Sequence, residues 1–142
     1  MMMRSFPAFR RLALLALGCG ALGSVLAQSA PLAPGQVPGS EIQSWIDADG
    51  FAIGGVNVQN GCYFLIRSGP YGRRQTIDCP NQPTPFNVFG EGKVVGDLFC
   101  SKFDYPDGSK MDSCSSVVKV GENKFELRTG GSVRSVFYRL LR

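Results

Sequence analysis

Residues 98–118 read LFCSKFDYPDGSKMDSCSSVV, and the reading of this stretch decides the fold. Two runs rich in strand-forming residues, 98–105 and 110–120, flank Pro106-Asp107-Gly108, a strong tight-turn signal. A connection this short forces antiparallel neighbours, because a parallel crossover needs about a dozen residues or more. In a hairpin centred on Asp107, residues equidistant from it lie opposite each other. Cys100 and Cys114 are each seven residues from that centre. Directly opposed strand residues sit about 4.5–5.5 Å apart at Cα, within the span of a disulfide.

The same arithmetic works upstream. A hairpin centred between Pro70 and Tyr71, inside Gly69-Pro70-Tyr71-Gly72, sets Cys62 opposite Cys79. Of the chain's five cysteines, Cys19 falls in the expected leader, residues 1–27; the remaining four admit three connectivities, and the other two require sheet neighbours that nothing in the sequence indicates. The spacing also argues against zinc, which calls for closely paired cysteines. Here the four stand 17, 21 and 14 positions apart. The expected site residues are therefore the disulfide pairs Cys62–Cys79 and Cys100–Cys114.

Outward from these hairpins, strand-like runs fall near 51–58, 62–68, 73–79, 86–90, 93–95, 98–105, 110–120, 124–129 and 132–141. Gly96-Asp97, Gly121-Glu122-Asn123 and Thr129-Gly130-Gly131 supply further turns. The sequence thus predicts a mainly β fold: an antiparallel meander curling into a small barrel or strongly bent sheet, with one short N-terminal helix over an end or face. Phe99, Phe103 and Tyr105 share one strand face. Core filling is the expected use of such a row in a small domain, a pocket lining the rarer one.

The helix is read at residues 40–49. Ser40 is an N-cap candidate with Gln43 three positions on, a capping-box arrangement. Ile42, Trp45 and Ile46 form an apolar stripe, and Gly50 supplies a stop. Two turns of helix do not persist alone, so the stripe must dock on the β-structure. Residues 28–39 contain three prolines, two glycines and no charge, the composition of a flexible linker.

Residues 1–27 have the layout of a secretory signal peptide. Arg4, Arg10 and Arg11 make the positive part, and 12–17 with 21–26 an apolar stretch relieved by Gly18, Gly20 and Gly23. Val25-Leu26-Ala27 offers the cleavage site. The apolar part is too short and glycine-rich for a membrane span. Ala16-Leu17-Gly18-Cys19 resembles a lipobox, which makes a lipid anchor at Cys19 the alternative. The expected organisation is a signal peptide (1–27), a linker (28–39) and one β-rich domain (40–142). The expected location is periplasmic or secreted, where an even set of cysteines is oxidised. Of the 15 Lys+Arg, three lie in the leader, leaving 12 against 11 Asp+Glu. That balance gives no footing for a nucleic-acid partner.

The chain contains no histidine. Ser-His-Asp and Cys-His nucleophilic arrangements and imidazole metal sites are excluded. Asp104, Asp107 and Asp112 surround one turn, and turn chemistry and solvation account for them. Asp47-Ala48-Asp49-Gly50 has the look of a calcium loop, but an EF-hand register would put Trp45 at its first ligand and Val56 at its last. No catalytic residue, metal ligand or cofactor is expected.

Residues 90–100, Gly-Glu-Gly-Lys-Val-Val-Gly-Asp-Leu-Phe-Cys, followed by Cys114 and Val117-Val118, resemble a pattern in small periplasmic disulfide-containing β-domain families of unknown function from Gram-negative bacteria. The resemblance spans residues 40–140, with Gly92 standing where those families have a tryptophan. It implies a non-enzymatic exported domain and carries over no site residues. A more distant likeness is to secreted protease inhibitors on small disulfide-containing barrels, whose N-terminal segment blocks a target cleft. The functional expectation is a non-catalytic exported binding or interaction module, an inhibitor or immunity-type protein being one form, whose partner is another exported or envelope protein. The alternative is a lipocalin-like carrier of a small apolar ligand.

Overall fold

The computed structural model describes residues 30–69 and 72–140. The expected leader, its expected cleavage site and Cys19 lie outside the described residues. Helix α1 (Gly39–Asp47) is followed by eight strands: β1 (Ala52–Asn57), β2 (Tyr63–Gly69), β3 (Gly72–Asp78), β4 (Phe86–Val95), β5 (Leu98–Asp104), β6 (Lys110–Lys119), β7 (Lys124–Thr129) and β8 (Ser132–Arg139). Each strand pairs antiparallel with the next, and β1 closes on β8 through Ile53↔Arg139 to Asn57↔Ser135. The molecule is a closed eight-stranded meander barrel, not an open bent sheet. Closure leaves the sheet without a free edge.

Both turn centres place the register as their spacing requires. Phe99 faces Ser115 and Cys100 faces Cys114 across β5–β6, while Tyr63 faces Asp78 across β2–β3. The disulfides join Cys62 to Cys79 and Cys100 to Cys114. One correction concerns β4. The runs expected at 86–90 and 93–95 form one strand that passes straight through Gly90-Glu91-Gly92. Glycines inside a strand mark a close approach, and both serve that end. A Cβ on Gly90 would overlap the Lys102 carbonyl and the Phe103 ring, and one on Gly92 would overlap the Arg73 guanidinium.

The N-terminal end departs further from expectation. No side chain caps α1, whose N-cap is Pro38, so the Ser40–Gln43 box does not form. The first helical N–H, that of Gly39, instead donates to Asp97 Oδ1 in the β4–β5 turn at 2.8 Å. A carboxylate at a helix N-terminus also opposes the helix dipole favourably. Gly39 is buried against that turn, where a Cβ would strike the Gly96 carbonyl. The stretch expected as a flexible linker is tied down over its second half. Val37 N donates to the Val117 carbonyl, and Lys119 N donates to the Gly35 carbonyl. Residues 35–37 thus continue the ladder along β6 beyond the start of β5, and Val37 joins the core.

Helix α1 closes one end of the barrel. Ile42 and Trp45 are buried there with Phe51, Ile53, Phe125 and Phe137. Trp45 meets Phe125 edge-on at 5.0 Å, Phe125 stacks on Phe137 at 5.4 Å, and the Arg139 guanidinium lies 4.5 Å over the indole. A gap of about 20 Å³ lies under the helix. Gly50 takes the positive φ (74°) that lets the chain turn from helix into β1. Asp47 is engaged in that helix, accepting from Gln43 Nε2 at 2.8 Å. Among the described residues no helix is long and apolar enough to cross a membrane.

Candidate functional site

Strand direction alternates in a meander, so the links 58–62, 79–85, 105–109 and 130–131 share the end opposite α1. That end is open. Behind it the barrel encloses a cavity of about 480 Å³, within the usual range for small-molecule pockets. The side-chain period of two sends alternate residues inward: Phe64 and Ile66 from β2, Gln75 and Ile77 from β3, Phe99, Ser101 and Phe103 from β5, and Met111, Ser113 and Ser115 from β6. The row Phe99, Phe103 and Tyr105 serves both uses: Phe99 and Phe103 are buried in the core with Tyr105 packed against it, and all three border this cavity. Eight strands enclose more interior than the inward side chains of these short strands occupy, because β5–β8 contribute serines and a threonine at inward positions.

The β2–β4 side of the lining carries Phe64, Ile66, Ile77 and Phe86 beside Gln75, and Phe99, Phe103, Met111 and Leu127 continue the apolar surface onto β5–β7. The β5–β8 side carries hydroxyls: Ser101, Ser113, Ser115, Thr129 and Ser135. Ser115 Oγ and Thr129 Oγ1 are hydrogen-bonded at 2.8 Å. At the mouth stand Asn57, Gln59, Asn60, Gln82 and Arg134. The disulfide Cys62–Cys79 belongs to this rim and lines the cavity, whereas Cys100–Cys114 lies on strands whose other alternate residues line it, with Cys114 exposed on the outer wall.

Besides Ser115 and Ser135, two longer polar side chains are buried among the described residues, both at positions to which the sequence assigned no function. Gln75 is 8% exposed and lines the cavity, and its Oε1 has no hydrogen-bond partner among the described residues. Arg73, the next inward position on β3, is 6% exposed, and its Nη1 likewise has none. The Arg73 guanidinium lies between the rings of Phe51 (5.3 Å) and Phe99 (5.4 Å). Such cation–π contacts compensate in part for lost hydration. Burial lowers its pKa and the charge of Asp47 opposes that change, while the intrinsic basicity of guanidinium keeps it charged at neutral pH. Phe99 and Leu127 border both the cavity and the helix end. They form the floor, and Arg73 packs against Phe99 below it.

The missing Cβ of Gly92 is what admits Arg73. A Gly92→Ala change is expected to destabilise the barrel by about 1–3 kcal/mol, the range for overpacking. The loss should shrink in an Arg73→Ala background, because the clash is with that side chain. Urea melts of the four chains in a double-mutant cycle test this. Strict additivity would show that Gly92 is needed for some reason other than Arg73.

The acidic turn residues fall outside the site. Asp107 accepts from Ser109 N (2.8 Å) and Oγ (2.6 Å), and these bonds hold its carboxyl below the usual range. Asp104 pairs with Lys110 at 3.1 Å on the exposed surface. Tyr105, at the cavity edge, has its pKa raised by burial and by the nearby Asp107 charge. It points its hydroxyl at Met111 Sδ, 3.8 Å away. Gln75 carried one sequence signal: in Arg73-Arg74-Gln75-Thr76-Ile77 its parity with Ile77 puts it, like Arg73, on the inward face. Comparison with protein-family models, with curated proteins and with solved structures finds no match to this chain.

Proposed function

We propose that this protein is a non-catalytic, exported binding protein that carries a small amphipathic ligand inside its barrel. The observation that carries the reading is the cavity of about 480 Å³, open at one end and closed by α1 at the other. Aromatic and aliphatic groups make up much of the lining, with a few placed polar groups among them, the usual composition of a ligand site. At protein-like packing density the occupant has a van der Waals volume of roughly 350 Å³ or less. Two disulfides fit an oxidising compartment, and with the leader they support a periplasmic or secreted location. Docking of residues 35–37 on β6 favours this reading over an inhibitor-like one, since that part of the arm is engaged with its own barrel.

Uptake of a neutral fluorescent amine, N-phenyl-1-naphthylamine, tests the reading. The folded protein should bind one equivalent with enhanced emission. Ser113→Trp, which fills the cavity from β6, should abolish uptake without lowering the melting temperature. Absence of uptake by the parent protein, or undiminished uptake by the filled variant, overturns the proposal.

A further inference from the structure

We infer that the cavity selects uncharged aromatic ligands bearing a single hydrogen-bond donor, a hydroxyl or ring N–H, which Gln75 Oε1 accepts. This rests on the carrier reading above and adds the chemistry of the occupant. Gln75 is buried, lines the cavity, and leaves its Oε1 without a partner among the described residues. Its own sheet offers none: the residues facing it in register are Ile66 on β2 and Val88 on β4, both buried and apolar. Ile77 follows on the same face, and the Tyr105 hydroxyl is directed at Met111. A buried acceptor left unmade is costly, so a ligand lacking a donor displaces solvent from Gln75 at a loss. A ligand with a donor recovers that bond. Sites built on one such polar group discriminate sharply against isosteres that lack it.

The charge distribution argues for a neutral ligand. Arg134 at the exposed mouth is the charged residue of the lining. Arg73 is occupied between Phe51 and Phe99, below the floor, with Nη1 directed at Gly92. Among the described residues no cationic side chain of the lining stands at the depth of Gln75 to pair with an anionic group. Phe64, Phe86, Phe99 and Phe103 line the cavity and offer ring faces and edges to a flat ligand.

Three probes of one shape decide the matter: 2-naphthol, 2-methylnaphthalene and 2-naphthoate, each measured by displacement of the naphthylamine dye. The parent protein should bind 2-naphthol about tenfold more tightly than 2-methylnaphthalene. Gln75→Met, similar in volume and without the acceptor, should keep its melting temperature and lose that preference while still binding 2-methylnaphthalene. Equal affinities of the parent for the two neutral probes overturn the inference and leave the carrier reading standing. Tighter binding of 2-naphthoate than of 2-naphthol also overturns it, since charge would then select the ligand. If neither the dye nor any probe binds, the carrier reading itself fails.

Discussion

Reduction of both disulfides is expected to leave the domain unfolded or molten at room temperature. Cys62–Cys79 and Cys100–Cys114 bridge sequence separations of 17 and 14 residues. Closures of that size contribute roughly 3 kcal/mol each through the entropy of the unfolded chain. A domain of this length has about 5–15 kcal/mol in total, so losing both removes a large share of it. The two bridges also differ in place. Cys100–Cys114 braces the outer wall of β5–β6, so the paired Ser substitution there should lower the melting temperature and leave dye uptake intact. Cys62–Cys79 ties the β1–β2 link to the end of β3 at the cavity mouth, and its removal should weaken uptake as well. Near-UV circular dichroism and thermal melts with and without reductant check the first expectation. An unchanged transition after full reduction would show that the apolar core suffices alone.

Trp45→Ala is expected to cost about 3–5 kcal/mol, the range for a large aromatic removed from a core, which for this size corresponds to a fall of about 10–20 °C in melting temperature. The indole is buried, meets Phe125 edge-on at 5.0 Å and supports Arg139 at 4.5 Å. Truncation strips the helix of its principal anchor and leaves the Arg139 guanidinium without its aromatic platform. Because α1 is two turns long, it does not persist once its packing is gone. Trp45→Phe should recover most of the loss by keeping the edge-on contact. Chemical denaturation of the three chains checks this. A loss near 1 kcal/mol for the alanine variant would mean that the helix contributes little to closing the barrel.

Much of the β-architecture was legible because tight turns carry their own geometry. Pro106-Asp107-Gly108 positions one pair of strands whatever the rest of the chain does, and Cys100 and Cys114 follow from it. The same holds for Cys62 and Cys79 about Gly69-Pro70-Tyr71-Gly72. Local patterns fared less well where a distant residue competes with a near one. Ser40 and Gln43 satisfy the sequence rule for a capped helix, yet the Asp97 carboxylate, 58 positions from Gly39, makes the bond. Proline and glycine content marked residues 28–39 as a linker, but the exposed ladder of β6 beyond the start of β5 provided hydrogen-bond partners for 35–37 that composition does not reveal.

What the sequence alone determined about this protein is the antiparallel pairing of strands joined by tight turns, the disulfide pairing and the apolar stripe of the helix, all consequences of spacing within a few tens of residues. Only the tertiary structure decided whether the sheet closes and whether its interior is filled. Those outcomes depend on the summed volume of inward side chains from eight strands. Ser101, Ser113, Ser115, Thr129 and Ser135 are too small to fill the space that Phe64, Phe99 and Phe103 face. The roles of Gln75 and Arg73 follow from the same fact. Alternation along β3 puts both side chains inside, but their neighbours on β2 and β4 leave Gln75 facing open space and bury Arg73 against Gly92. A side chain's partner across a barrel is set by register and closure, and neither is written in its own stretch of sequence.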